Sequence, residues 1–190
     1  MVYYGKMARY CGIVFVTLLV ALPGKCIAGD IVDEVKVGWL AHDVGFLGHH
    51  KEPGSDVNTE LLFVSPSILS AIGSPRPDLG VSVNTAGLTD MAYGGLTWTA
   101  NLVDHLFAED DSIFIAGSLG GSVNNGKTSG EYAYRKALGS NVLFRESAEL
   151  GYRFFTRYSV SAFLDHNSNA GLASRNEGLT DAGVRLGMRF

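Results

Sequence analysis

Cysteine is almost missing from this sequence of 190 residues: there are two, Cys11 and Cys26, both close to the start. Beyond Cys26 no thiol remains for a disulfide framework or a cysteine-ligated zinc site. A chain without thiols also crosses an oxidising periplasm without mispairing. Proline is scarce as well. Three of the five prolines (Pro66, Pro75 and Pro77) fall in one short connection. Positive charge is in deficit, with 15 Lys and Arg against 19 Asp and Glu, so the composition argues against a nucleic-acid partner. Past the first 28 residues no apolar run approaches the eighteen or so residues that a membrane-crossing helix needs.

The N-terminal stretch explains part of this pattern. Lys6 and Arg9 precede the apolar run Gly12–Leu22, which is followed by Pro23-Gly24 and by Cys26-Ile27-Ala28. A charged segment, a short apolar segment and a small-x-small site are the marks of a secretory leader, with cleavage expected after Ala28. Residues 29–190 are then expected to form one domain. Of the 15 basic residues, Lys6, Arg9 and Lys25 lie in the leader, which leaves 12 against 19 acidic and a net charge of −7.

What the sequence has in quantity is glycine (24), with 10 Phe, 8 Tyr and 2 Trp, a mixture that favours strands over helices. Period-two alternation recurs eight times. Val35, Val37, Trp39 and Ala41 alternate with Lys36, Gly38, Leu40 and His42. Further strands are expected at Thr59–Ser65, Leu79–Ala86, Leu88–Leu102, Ser112–Val123, Val142–Phe154, Tyr158–His166 and Ala182–Phe190. Polar loops at 45–58, 124–140 and 167–180 alternate with mostly shorter turns. One strand face is apolar while the other carries Arg, Glu, Lys, Ser and Thr. Long loops on one side and short turns on the other predict an all-β fold, an eight-stranded antiparallel transmembrane β-barrel. A charged interior suits a barrel small enough to be filled by its own side chains. The competing architecture is a soluble eight-stranded barrel of lipocalin type, which turns the same faces inside out. The aromatic terminal residue, Phe190, favours the membrane barrel, because outer-membrane proteins typically end so.

Two motifs promise chemistry that their context withholds. Gly121-Ser-Val-Asn-Asn-Gly126-Lys127-Thr128 fits the phosphate-loop pattern GxxxxGK[ST]. That loop works only between a strand and a helix of a βαβ unit, and no such unit surrounds it. His42, His49 and His50, with Asp43 and Glu52, invite a metal reading, but paired histidines in a polar loop are more often solvated. No metal and no cofactor are expected.

The stretch with the strongest chemical content is Asp165–Phe190. His166 and Ser168 are two positions apart on a strand, so they share a face, about 6–7 Å apart at Cα. They continue the apolar parity of Val160, Ala162 and Leu164. An imidazole on that face is costly unless it is used, and a histidine beside a serine can activate it as a nucleophile. Asn169, Gly171 and Asn176 follow closely and offer donors for an oxyanion.

The segment H-x-S-N-A-G-L…N-E-G-L, from His166 to Leu179, resembles the signature of the PagL-type lipid A 3-O-deacylases. A looser similarity runs through Leu138-Gly139, Phe144, Gly151-Tyr-Arg-Phe154 and the last strand. The resemblance implies an outer-membrane serine esterase that removes the 3-O-linked acyl chain of lipid A. Ser168 is then the nucleophile, His166 its base, Asn169 and Gly171 part of the oxyanion hole and Asn176 a support. The implied partners are lipid A (lipopolysaccharide) and the membrane, with a homodimer left open. The alternative function is a non-enzymatic outer-membrane barrel with a structural or adhesive role. Family members often carry an acid two positions after the glycine matched by Gly178, where this sequence has Thr180. Three residues are therefore candidates to orient His166: Thr180 by motif position, Glu146 by its place on the preceding strand, and Asp181 only if a bulge shifts the register.

Overall fold

The alternating segments form eight strands in the computed structural model, which describes residues 30–190. The expected leader and its cleavage point lie outside the described residues. The strands are β1 (Val32–Ala41), β2 (Ser55–Phe63), β3 (Arg76–Asn84), β4 (Met91–Asp104), β5 (Ser112–Asn124), β6 (Val142–Phe154), β7 (Tyr158–Ser168) and β8 (Leu179–Arg189). Each pairs antiparallel with its neighbour in sequence, and β8 returns to β1 to close the barrel. The β7–β8 ladder runs without a bulge from Tyr158↔Met188 to Asn167↔Leu179.

Among the boundaries that differ from the sequence expectation, three do so for one reason. β2 starts at Ser55, not Thr59, because Asp56, Asn58 and Glu60 are inward-facing strand residues rather than loop. β7 and β8 likewise extend to Ser168 and back to Leu179. In a barrel with a polar lumen, polar residues mark strand interiors as readily as they mark loops. The proline-bearing connection holds a short 3-10 helix, Ser67–Ile72.

The parity of buried side chains separates the membrane barrel from the soluble one. Inside, Arg145 reaches Asp165 (2.7 Å) and Glu60 (3.4 Å), and its guanidinium stacks 3.6 Å from the Tyr93 ring. Arg185 bonds Glu60 (3.0 Å) and Glu149, and Lys36 bonds Glu149 (2.7 Å). Outside, Trp39, Leu79, Leu119, Leu150, Val184 and Leu186 are each more than half exposed. Such a continuous apolar belt around a charged interior needs hydrocarbon, not water, as its solvent. At one end Phe107, Tyr152, Phe154, Phe155 and Tyr158 pack ring on ring, as the aromatic girdle of a membrane interface does. That end carries the turns 105–111 and 155–157. The opposite end carries loops 42–54, 85–90, 125–141 and 169–178, roofed inside by Met91, Leu138, Leu143 and Leu179.

Candidate active site

His166 and Ser168 sit at the loop end of β7 on its outward face, both half-buried. In the ladder His166 stands directly between Glu146 of β6 and Thr180 of β8, while Ser168 faces Phe144. Thr180 makes the contact. Its Oγ1 lies 2.7 Å from His166 Nδ1, and its carbonyl accepts a 2.8 Å hydrogen bond from the Val44 N–H. Although it faces outward, Thr180 is buried. Glu146 is exposed on the same row, with cross-strand Cβ atoms about 4.5–5.5 Å apart. Among the described residues no hydrogen bond joins His166 to Ser168.

Asp181 points to the other side of the wall, as an unbulged strand requires. It is buried in the lumen, where its Oδ1 accepts a 2.9 Å hydrogen bond from the Asp43 N–H. Of the three candidate partners of His166, the fold therefore brings up Thr180 and Glu146 and sends Asp181 inward.

The stretch Asn176-Glu177-Gly178-Leu179 is the brace of the site. Asn176 Oδ1 accepts from the Asn169 N–H (3.1 Å). Glu177 accepts from the Ala137 N–H (2.7 Å) and from Lys51, and these donors hold its carboxyl below the usual range against the upward push of burial. Gly178 lies under the imidazole with φ +56°; a Cβ there would come within 3.1 Å of His166 Cε1. Only glycine meets both demands cheaply. Leu179 anchors the stretch in the apolar roof. Gly139 makes the matching approach from the facing loop, since a Cβ on it would strike the Arg175 carbonyl and the Asn169 side chain.

The oxyanion donors expected from sequence are placed differently. Both Asn169 Nδ2 hydrogens are engaged, by the carbonyls of Leu138 (2.7 Å) and Arg175 (2.6 Å). The Gly171 N–H donates to Asn169 Oδ1 (2.9 Å). Asn169, Gly171 and Asn176 thus tie the turn after Ser168 to itself and to the segment 136–139. The turn is tight, with positive φ at Ala170 (53°) and Gly171 (79°). Ala170 N–H has no hydrogen-bond partner among the described residues.

Lys136 has no signal in the sequence, being one charge in a polar loop. Its ammonium is buried, donates to the Gly178 carbonyl (2.6 Å) and pairs with Asp43 Oδ1 (2.6 Å). It fixes the glycine on which the imidazole rests. Of the loop histidines, His49 and His50 are exposed, whereas His42 turns into the lumen. His42 Nδ1 donates to Asp56 Oδ2 (2.9 Å) and Nε2 to Glu52 Oε2 (3.3 Å). Burial alone would lower the His42 pKa. The bonds to Asp56 and Glu52 and the charge of Asp181 outweigh it and raise the value to about 10. Glu52, pushed up by burial, is held at about 2 by His42, the Lys136 N–H and Arg135. Gly121–Thr128 spans the end of β5 and the following loop, with no helix after it.

The family described as lipid A 3-O-deacylase (PagL) matches residues 75–189, a span that contains β3 to β8 and every outward residue of the site. The crystal structure of the outer membrane enzyme PagL superposes with a TM-score of 0.60 at 17% identity, covering 83% of this chain and 99% of that one. The Yersinia pestis outer membrane protein Ail (TM-score 0.47, 11% identity, 84% and 99% covered) agrees less well. So does the N-terminal barrel domain of Pseudomonas aeruginosa OprF (0.44, 9%, 83% and 99%). No curated protein is significantly similar in sequence. With well over half of its residues matched by that family, and a barrel of the PagL fold beneath them, the chain belongs to the lipid A 3-O-deacylase (PagL) family.

Proposed function

We propose that this barrel is an outer-membrane serine esterase that hydrolyses the 3-O-linked acyl ester of lipid A. The observation that carries the reading is an imidazole on the lipid-facing side of the wall, hydrogen-bonded through Nδ1 to Thr180 and two residues from a serine hydroxyl that makes no hydrogen bond among the described residues. That face lies toward the membrane and not toward the lumen. A lipid of the outer leaflet is already there, with its acyl chains against Val160, Ala162, Leu164 and Phe144 and its polar head among the loops.

Thr180 Oγ1 accepts the Nδ1–H, which leaves the lone pair on His166 Nε2. Nε2 takes the proton from Ser168 Oγ as that oxygen attacks the ester carbonyl carbon. The tetrahedral oxyanion is met by the Ala170 N–H, the free amide of the turn that Asn169, Gly171 and Asn176 hold in shape. His166 returns the proton to the departing sugar 3-oxygen, and an acyl-Ser168 ester remains. Water from the loop side, deprotonated by His166, then attacks the acyl carbon, and His166 passes that proton to the departing Ser168 Oγ as the fatty acid leaves. Glu146 on the other flank adds a negative charge that favours the imidazolium formed in each step. All of these groups come from one chain.

The test is mass spectrometry of lipid A from outer membranes incubated with the refolded barrel. The expected result is loss of one hydroxyacyl chain from the 3-position. Lipid A of unchanged mass under conditions where the barrel is folded would overturn the proposal.

A further inference from the structure

The lumen beneath the loops contains a second group of functional side chains that takes no part in the esterase chemistry. His42 follows β1, Asp56 is on β2 and Asp181 is on β8, so the three meet on the seam where β8 closes against β1. All are buried, at 2%, 1% and 1% exposure. One nitrogen, His42 Nδ1, faces two carboxylates at once: Asp56 Oδ2 at 2.9 Å and Asp181 Oδ1 at 3.3 Å. These three atoms all lie within 4.8 Å of one another.

A single N–H serves one of those carboxylates well. Asp56 receives it, and its other oxygen accepts from Asn84 Nδ2 (3.0 Å). Asp181 is left with one hydrogen bond among the described residues, from the Asp43 N–H, although an ionised carboxylate has room for about four. Most of the ligand capacity of the buried Asp181 carboxylate is therefore unused, on the side that faces His42 Nδ1. Lys136 is not available for it, being paired with Asp43 and the Gly178 carbonyl.

The spacing fits a metal ion. Zinc bonds of about 2.0–2.2 Å in tetrahedral geometry set neighbouring ligand atoms about 3.3–3.6 Å apart. The two nitrogen–oxygen separations are within a few tenths of an ångström of that. The outer partners fit as well, because a metal-bound histidine usually donates its other N–H to a carboxylate. Here Nε2–H already points at Glu52, which is itself held by the Lys136 N–H (2.8 Å) and Arg135.

We propose that His42 Nδ1, Asp56 and Asp181 bind one divalent transition-metal cation, zinc by the ligand chemistry, as a clip across the seam of the barrel. On binding, the Nδ1 proton leaves to solvent and its lone pair goes to the metal, while Nε2–H stays on Glu52. The ion stands on the lumen side of the wall and touches neither Ser168 nor His166. The proposal therefore stands whether or not the esterase reading does.

The experiment titrates Zn2+ into the chelator-stripped, detergent-folded barrel by calorimetry and follows the thermal midpoint with and without the ion. Wild type is expected to bind one Zn2+ per chain and to unfold at a higher temperature when loaded, and more tightly at pH 8 than at pH 6 as the proton competes. His42→Gln and Asp181→Asn should each weaken binding at least tenfold and remove the thermal shift. Unboiled gel migration reports that both are folded, and if one fails to fold the other decides. A double variant, His49→Gln with His50→Gln, should bind as wild type does. Absence of Zn2+ binding in wild type, or equal binding by His42→Gln or Asp181→Asn, would overturn the proposal, as would loss of binding in the His49/His50 variant.

Discussion

His166 and His42 stand at the same end of the barrel, on opposite sides of its wall. His166 faces outward, holds one neutral partner in Thr180 and has its second nitrogen free of any hydrogen bond among the described residues. His42 faces inward with both nitrogens on carboxylates. The first arrangement leaves a lone pair to take a proton; the second ties up both nitrogens and makes a cross-link. Their partners on β8 are consecutive residues, Thr180 and Asp181, sent to opposite faces by the pleat. The carboxylate one position beyond Thr180 is thus turned away from His166, and the threonine is what hydrogen-bonds the imidazole.

The comparison breaks most visibly if outward and inward substitutions have interchangeable effects. Ser168→Ala and His166→Ala should each lower the deacylation rate by about a thousandfold or more, while gel migration and unfolding midpoint stay as in wild type. A loss under about tenfold in either would remove the serine mechanism. Next in size is an inward change that should spare chemistry. Arg145→Met strands Glu60, Asp78 and Asp165 around an uncharged side chain. Removing one member of a buried ionic group costs about 3–5 kcal/mol. Denaturant unfolding of the barrel in lipid vesicles measures it, and a loss under about 1 kcal/mol would show that the luminal pairs are dispensable.

The smallest effect is the most discriminating. Thr180→Val keeps the shape and removes the hydrogen bond to Nδ1, so kcat should fall by about tenfold to a hundredfold, as mispositioned groups do, with KM unchanged. Thr180→Glu, which places an acid beside Nδ1, should match wild-type kcat or exceed it. Equal kcat in wild type and Thr180→Val would mean that His166 is oriented without Thr180.

The barrel itself was legible in the sequence because alternation encodes sidedness. Trp39, Leu119 and Leu186 against Lys36, Arg145 and Arg185 sufficed for the fold and, once the charged lumen was seen, for the choice of membrane over water. The placement of His166, Ser168 and Thr180 on one outward face was legible through parity. Less legible was everything that depends on which loop touches which. Lys136 under Gly178, Glu177 across to Ala137 and Lys51, and the pairing of His42 with Asp56 and Asp181 join segments far apart in the chain. Asn169 and Gly171 show the limit of a motif read without contacts, since the Asn169 side-chain amide is taken up by the carbonyls of Leu138 and Arg175 and the Gly171 N–H by Asn169 Oδ1.

The most direct test of the central claim, that the outward pair performs the chemistry, is covalent labelling with a lipophilic fluorophosphonate followed by peptide mass spectrometry. The account predicts one phosphonyl group per chain, on Ser168, with labelling absent in Ser168→Ala and strongly slowed in His166→Ala. A barrel that deacylates lipid A yet stays unlabelled, or carries the label on another residue, would contradict it.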